Sequence, residues 1–104
     1  MNMPNFNLLP DWDEDNVLHI ARHNLSPEQV EEVYYSEGPF STIAIRKKRP
    51  RGQELRHRLW GTDAEGNFIE VIVAVFPKYG IWRCVTAYPM SQGTKKAYLK
   101  KVRR

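Results

Sequence analysis

Glu54, Arg56 and Arg58 alternate with Leu55, His57 and Leu59. A carboxylate, two guanidiniums and an imidazole so close together suit cleavage of an RNA phosphodiester without a metal. Such a reaction needs a base for the attacking 2′-hydroxyl, positive groups around the phosphorane and an acid for the leaving oxygen. Glu54, His23 or His57 could move the proton, while Arg56, Arg58 and Arg83 could hold the charge. Taken singly, each arginine is more often a solvated strand residue than a catalyst.

Other chemistries have thinner support. The chain has no glycine-rich phosphate loop, no paired-cysteine site and no His-Glu-His helix motif. His19 and His23 stand four apart, a spacing that can bind a metal on a helix, but no third ligand is spaced with them. The bland reading is one exposed histidine and one hydrogen-bonded at a helix end. Neither a metal nor another cofactor is expected. The single cysteine, Cys84, falls in an apolar run and reads as a buried structural thiol rather than a nucleophile. It cannot form an internal disulfide, so a reducing cytoplasm is the expected location. No apolar run reaches the length of a membrane span, and the first residues do not read as a signal peptide.

Charge is sorted along the chain. Residues 1–45 hold eight acids and one base, Arg22, whereas residues 46–104 hold fifteen bases and four acids. A segment this positive can collect phosphates, and the acidic segment can shield or orient it. The balance alone would also permit an anionic membrane or an acidic protein. Arg46, Lys47, Lys48, Arg49, Arg51, Arg56 and Arg58 form one basic cluster, and residues 95–104 carry another six bases. Either cluster alone is often a solvated face. With Trp60, Trp82 and Tyr88 they resemble an RNA surface, with cations for the backbone and rings for the bases.

These groups need elements to position them. At 104 residues the chain is expected to form one domain, with residues 1–10 a tail or a short strand at most. Asp13 reads as the N-cap of a helix over 14–23, with Val17, Ile20 and Ala21 on one side and Trp12 packing back as an anchor. Ser26, Pro27 and Gln29 spell a capping box for a second helix with a Val30, Val33, Tyr34 stripe, closed by Gly38-Pro39. After Pro39 the period drops to two. Residues 40–45 read as a strand, 46–52 as a basic loop and 55–60 as a half-exposed strand. Residues 63–67 read as a hairpin turn, and 68–76 as a central strand covered on both sides. The strand over 81–88 puts Trp82, Cys84 and Thr86 on one face and Arg83, Val85 and Ala87 on the other. Ser91 could cap a final helix through Lys101, with Ala97, Tyr98 and Lys101 on a shared face. The fold class is α+β: two N-terminal helices, a four-stranded, mainly antiparallel meander and a short C-terminal helix.

Ordered motifs then bring a family into view. Trp12-Asp13 and Asn16 are followed by Arg22-His23-Asn24 and a helix opening Leu25-Ser26-Pro27-Glu28. Glu54-Leu55-Arg56 leads to Gly61 after four residues, and a late strand reads Arg83-Cys84-Val85-Thr86-Ala87-Tyr88. In this order they resemble the BrnT family of small ribonuclease toxins, related in fold to the RelE type, over roughly residues 10–100. Three departures stand out. The family usually has Lys-His-Gly where this chain has Arg22-His23-Asn24. Asn67 and Tyr88 stand where the family usually has arginine.

The resemblance implies two helices, an antiparallel sheet and a short C-terminal helix. It implies RNA cleavage that arrests growth, and neutralisation by a cognate antitoxin that usually carries a DNA-binding domain. Assemblies of two toxins and two antitoxins, or a homodimer, would fit that pattern. The lost arginines favour alternatives in which the chain only binds RNA or DNA, or only receives an acidic element of an antitoxin.

Overall fold

The computed structural model describes residues 7–36, 42–49 and 52–102, with backbone only for 42–49 and 52–55. Leu9–Pro10 forms a two-residue strand, β1, followed by helices α1 (Glu14–Ala21) and α2 (Pro27–Tyr34). Strands β2 (Thr42–Arg49), β3 (Gly52–Thr62), β4 (Phe68–Phe76) and β5 (Ile81–Pro89) come next, and α3 (Gln92–Val102) follows. Strands β2 to β5 form an antiparallel meander, and β1 pairs parallel to β5, so the sheet order is β1-β5-β4-β3-β2.

Local chemistry sets the helix starts. The Asp13 carboxylate accepts from the Asn16 N–H at 2.8 Å. Ser26 and Gln29 complete a reciprocal capping box, and Pro27 occupies the first turn, where a missing N–H costs no helical bond. α1 stops at Ala21 rather than at residue 23, because Asn24 takes a left-handed conformation (φ 62°) and the Leu25 N–H returns to the Ile20 carbonyl. His23 therefore sits on the corner between the helices. The closing Gly38-Pro39 pair lies outside the described residues.

One sheet face packs on α1 and α2. Ile20, Val30, Val33 and Tyr34 meet Leu59, Ile69, Val71, Val73, Trp82, Cys84 and Ala87, all buried. Tyr34 stacks on Trp82 with ring centroids 4.1 Å apart. Trp12 meets Trp82 edge-on and donates its indole N–H to Glu31. Gly61 lets α2 approach closely, since a Cβ there would stand 3.1 Å from Val33 Cγ1. β4 is the middle strand, as its apolar run predicts, but α1 and α2 cover only one of its faces, and Ile72 on the other is half-buried.

Two expectations about the sheet are corrected. Residues 46–49 are strand rather than loop, since β2 continues to Arg49 and pairs Lys47 opposite Glu54 and Arg49 opposite Gly52. Only residues 50 and 51 connect the two strands, and a polar edge strand needs only one bonded side. The alternation in β5 also breaks. Ile72 pairs with Thr86 but Val73 with Cys84, so Val85 is a bulge. Trp82, Cys84 and Ala87 face the core, while Arg83, Thr86 and Tyr88 face away; an extra residue reverses the parity beyond it.

α3 lies at one end of the opposite sheet face, where Tyr98 meets Phe68 edge-on. Ser91 caps it, accepting from the Thr94 N–H. Lys101 is exposed rather than sharing the buried side of Tyr98. Among the described residues no helix is long and apolar enough to cross a membrane.

Candidate nucleic-acid interface

The sheet face away from α1 and α2 carries the arginines and two aromatic rings in three neighbouring cross-strand rows. Arg56, Ala74 and Arg83 form one, Arg58, Ile72 and Thr86 the next, and Trp60, Glu70 and Tyr88 the third. Residues paired across antiparallel strands project to the same side, so register alone brings three arginines and two aromatic rings together. Arg58, Trp60, Arg83 and Tyr88 are all partly exposed. Four residues of β4 separate the outer rows, about 13 Å at strand rise.

Glu70 sits at the hub of this face. It is the one charge in the apolar β4 run and is only 6% exposed. Tyr88 donates its phenol O–H to Glu70 Oε2 at 2.9 Å, and Arg58 Nε stands 3.2 Å from the same oxygen without hydrogen-bond alignment. Burial, reinforced by the bond to Glu70, pushes the Tyr88 phenol pKa up. The indole N–H of Trp60 is buried with no hydrogen-bond partner.

Arg83 has partners of its own. Its guanidinium donates to Asp13 and to Asn16 Oδ1 (3.0 Å) and lies 3.5 Å from Asp11. Asn16 also donates to the Cys84 carbonyl, so α1 runs along the β5 edge that β1 leaves unpaired. Hydrogen bonding from the Asn16 N–H, aided by Arg83, holds the Asp13 carboxyl below its ordinary range.

His57 is not part of this face. Its parity is that of Leu59, so it lies in the core layer at 1% exposure, with Nδ1 unpartnered and its pKa lowered by burial. Leu55, His57 and Leu59 already shared a side in the sequence pattern. The side chains of Glu54, Arg46, Lys47, Lys48 and Arg49 lie outside the described residues, as does Arg51 altogether. Cys84 is buried, and burial pushes its thiol pKa to about 12, far from a reactive thiolate.

No family model, curated protein or solved structure matches the chain. The geometry must therefore carry the functional reading.

His23 joins the sheet face from the helix side. Its ring meets Tyr88 edge-on at 5.9 Å and His19 at 6.0 Å, and His19 Nε2 lies 3.0 Å from Thr86 Oγ1. The histidine pair thus packs on β5 residues; among the described residues no three potential metal-ligating side chains gather. His23 and Asn67 also line a cleft of about 570 Å³ between the α1–α2 corner, the β3–β4 turn and the start of α3. Two of the four positions at which the motifs depart from the BrnT pattern, Asn24 and Asn67, line this cleft, and Tyr88 adjoins it through His23. Asn67 has a structural partner: its Nδ2 donates to Asp63 Oδ2, which also accepts from Gln29 Nε2. None of Glu70, Asp63 and Lys95 is expected as a site residue from the sequence by itself, although Lys95 belongs to the basic cluster at 95–104 and Glu70 is a lone charge in an apolar strand.

Proposed function

We propose that this chain is the toxin component of a type II toxin–antitoxin pair, a BrnT/RelE-like endoribonuclease that cleaves RNA without a metal and arrests growth in the cytoplasm. The observation that carries the reading is the set of arginines and rings, Arg56, Arg58, Arg83, Trp60 and Tyr88, on one sheet face. The cations suit a phosphate backbone and the rings suit stacked bases. In the reaction, the 2′-oxygen attacks phosphorus and the 5′-oxygen leaves, giving a 2′,3′-cyclic phosphate and a 5′-hydroxyl. Glu54 or His23 would take the 2′ proton, Arg56 and Arg58 would stabilise the phosphorane, and a protonated group would give a proton to the leaving 5′-oxygen. The partner would be a cognate DNA-binding antitoxin.

A second reading is favoured by a different observation. Arg83 is already paired with Asp11 and Asp13, and Asn67 and Tyr88 bring no guanidinium to the cleft. A chain so arranged would bind RNA, or an acidic element of the antitoxin, without cutting.

One experiment separates the two. Partner-free protein is incubated with RNA in chelator, beside an Arg56→Ala, Arg58→Ala double variant. Cyclic-phosphate ends that appear with the parent and fall at least about a hundredfold with the variant support the endoribonuclease. Salt-sensitive RNA binding without product supports the second reading.

A further inference from the structure

The cleft beside His23 has a chemistry of its own. None of its lining residues is acidic, and it holds one ammonium, Lys95, and one imidazole, His23. Lys95 Nζ lies 4.5 Å over the centroid of the Phe68 ring, which holds the charge at the cleft. No carboxylate pairs with Lys95 among the described residues, whereas Arg58 and Arg83 are each matched by one or more. The amides of Gln29 and Asn67 are turned to Asp63 and stiffen the wall behind. Leu25, Phe68, Ile69 and Met90 supply the apolar part of the lining. The volume falls within the range of small-molecule pockets, about 300–1,000 Å³.

We propose that this cleft binds a single nucleotide, its phosphate held by Lys95 and His23 and its base laid on the apolar wall near Met90. An ammonium with no carboxylate partner among the described residues, lining the same cleft as an imidazole, suits an anion. The adjoining apolar side chains favour an anion that also carries a flat ring with apolar faces, as a nucleotide does and free phosphate does not. The inference rests on the RNA reading above and deepens it. The nucleotide is one residue of the bound strand, and the cleft continues the sheet face past Tyr88. Lys95 then supplies a positive charge from α3 that Asn67 and Tyr88 do not.

The test is an amide-shift titration of the full chain with uridine and adenosine 3′-monophosphates, and in parallel with inorganic phosphate and uridine. Expected are saturable shifts at His23, Asn24, Met90 and Lys95 with either nucleotide, and weaker binding of phosphate and of uridine. Lys95→Ala should weaken nucleotide binding about tenfold with the spectrum otherwise preserved, and Lys95→Arg should restore it. Shifts confined to the Arg56–Arg58 face, phosphate binding as tight as the nucleotide, or unchanged affinity in Lys95→Ala would each overturn the site. Nucleotide binding at the cleft without RNA cleavage would remove the nuclease and leave the site. Cleavage that persists in Lys95→Ala, with no cleft shifts, would do the reverse.

Discussion

Arg83 and Asp13, 70 residues apart in sequence, are joined by an ion pair that fastens the start of α1 to the edge of β5. The same carboxylate caps α1 through the Asn16 N–H. One aspartate thus ends a helix and offsets an arginine of the sheet face. The acidic N-terminal part and the basic remainder meet at this contact.

Replacing Asp13 tests the clasp. The Asn16 N–H and Arg83 lower its folded pKa below the ordinary 3.8. Its stabilising effect is therefore complete above the unfolded pKa and fades as pH falls through the folded one. Asp13→Ala should lower the Tm at pH 7 by roughly 4–8 °C. Thermal melts at successively lower pH should show the gap closing below pH 3.8. A gap of constant size would mean that charge plays no part.

Gly61 predicts a packing cost. A Cβ there meets Val33 Cγ1 at 3.1 Å, so the Val33 side chain must give by a few tenths of an ångström, and the further methyls of a valine need more room. Gly61→Val should destabilise by about 1–3 kcal/mol in urea. A partly compensating Val33→Ala in the same chain would identify the clash as the cause.

The parts of the fold that read directly from sequence are those set by local chemistry. Ser26, Pro27 and Gln29 define the start of α2 without help from elsewhere, and Val30, Val33 and Tyr34 bury as their spacing predicts. The apolar run 68–76 reads as the central strand, which is the place it takes. What did not read was set by distant partners. The Val85 bulge sits beside a carbonyl, that of Cys84, which accepts from Asn16 68 residues away, and no pattern within 81–88 announces it. The basic run 46–49 looked like a loop because its strand character comes from pairing with β3. For the site, alternation was the useful signal: it already separated Arg56 and Arg58 from His57.

Asp63 organises the β3–β4 turn from a nearly buried position. It accepts from the backbone N–H groups of Glu65 and Asn67 and from the side chains of Gln29 and Asn67. Burial alone would raise its pKa, yet these bonds outweigh it and hold the carboxyl low. Asp63→Ala leaves several donors unmatched and should cost about 2–3 kcal/mol. Chemical denaturation at pH 7 should show the full loss, which shrinks as acid protonates the parent carboxyl below 3.8.

Arg58 predicts an effect on RNA rather than on folding. It is partly exposed, and its Glu70 partner also keeps the Tyr88 phenol. If the sheet face holds the RNA backbone, Arg58→Ala should weaken binding and reduce the slope of log affinity against log salt by about one. Affinity unchanged across the salt series would place the RNA elsewhere.

His57 supplies the opposite control. It is a buried base whose Nδ1 has no partner, on the core side of β3. Burial lowers its folded pKa below 6.5, so the unfolded chain binds the proton more readily. Stability contributed by the neutral ring is complete above pH 6.5 and falls as pH drops through the folded value. His57→Leu removes an unmatched polar atom of similar volume and should be neutral or stabilising by about 1 kcal/mol at pH 7. Its advantage should widen at pH 5.5, because only the parent loses stability there. RNA binding and cleavage should be unchanged, since the imidazole lies beneath the sheet from Arg56 and Arg58. A variant that folds equally well but no longer acts on RNA would return His57 to the site.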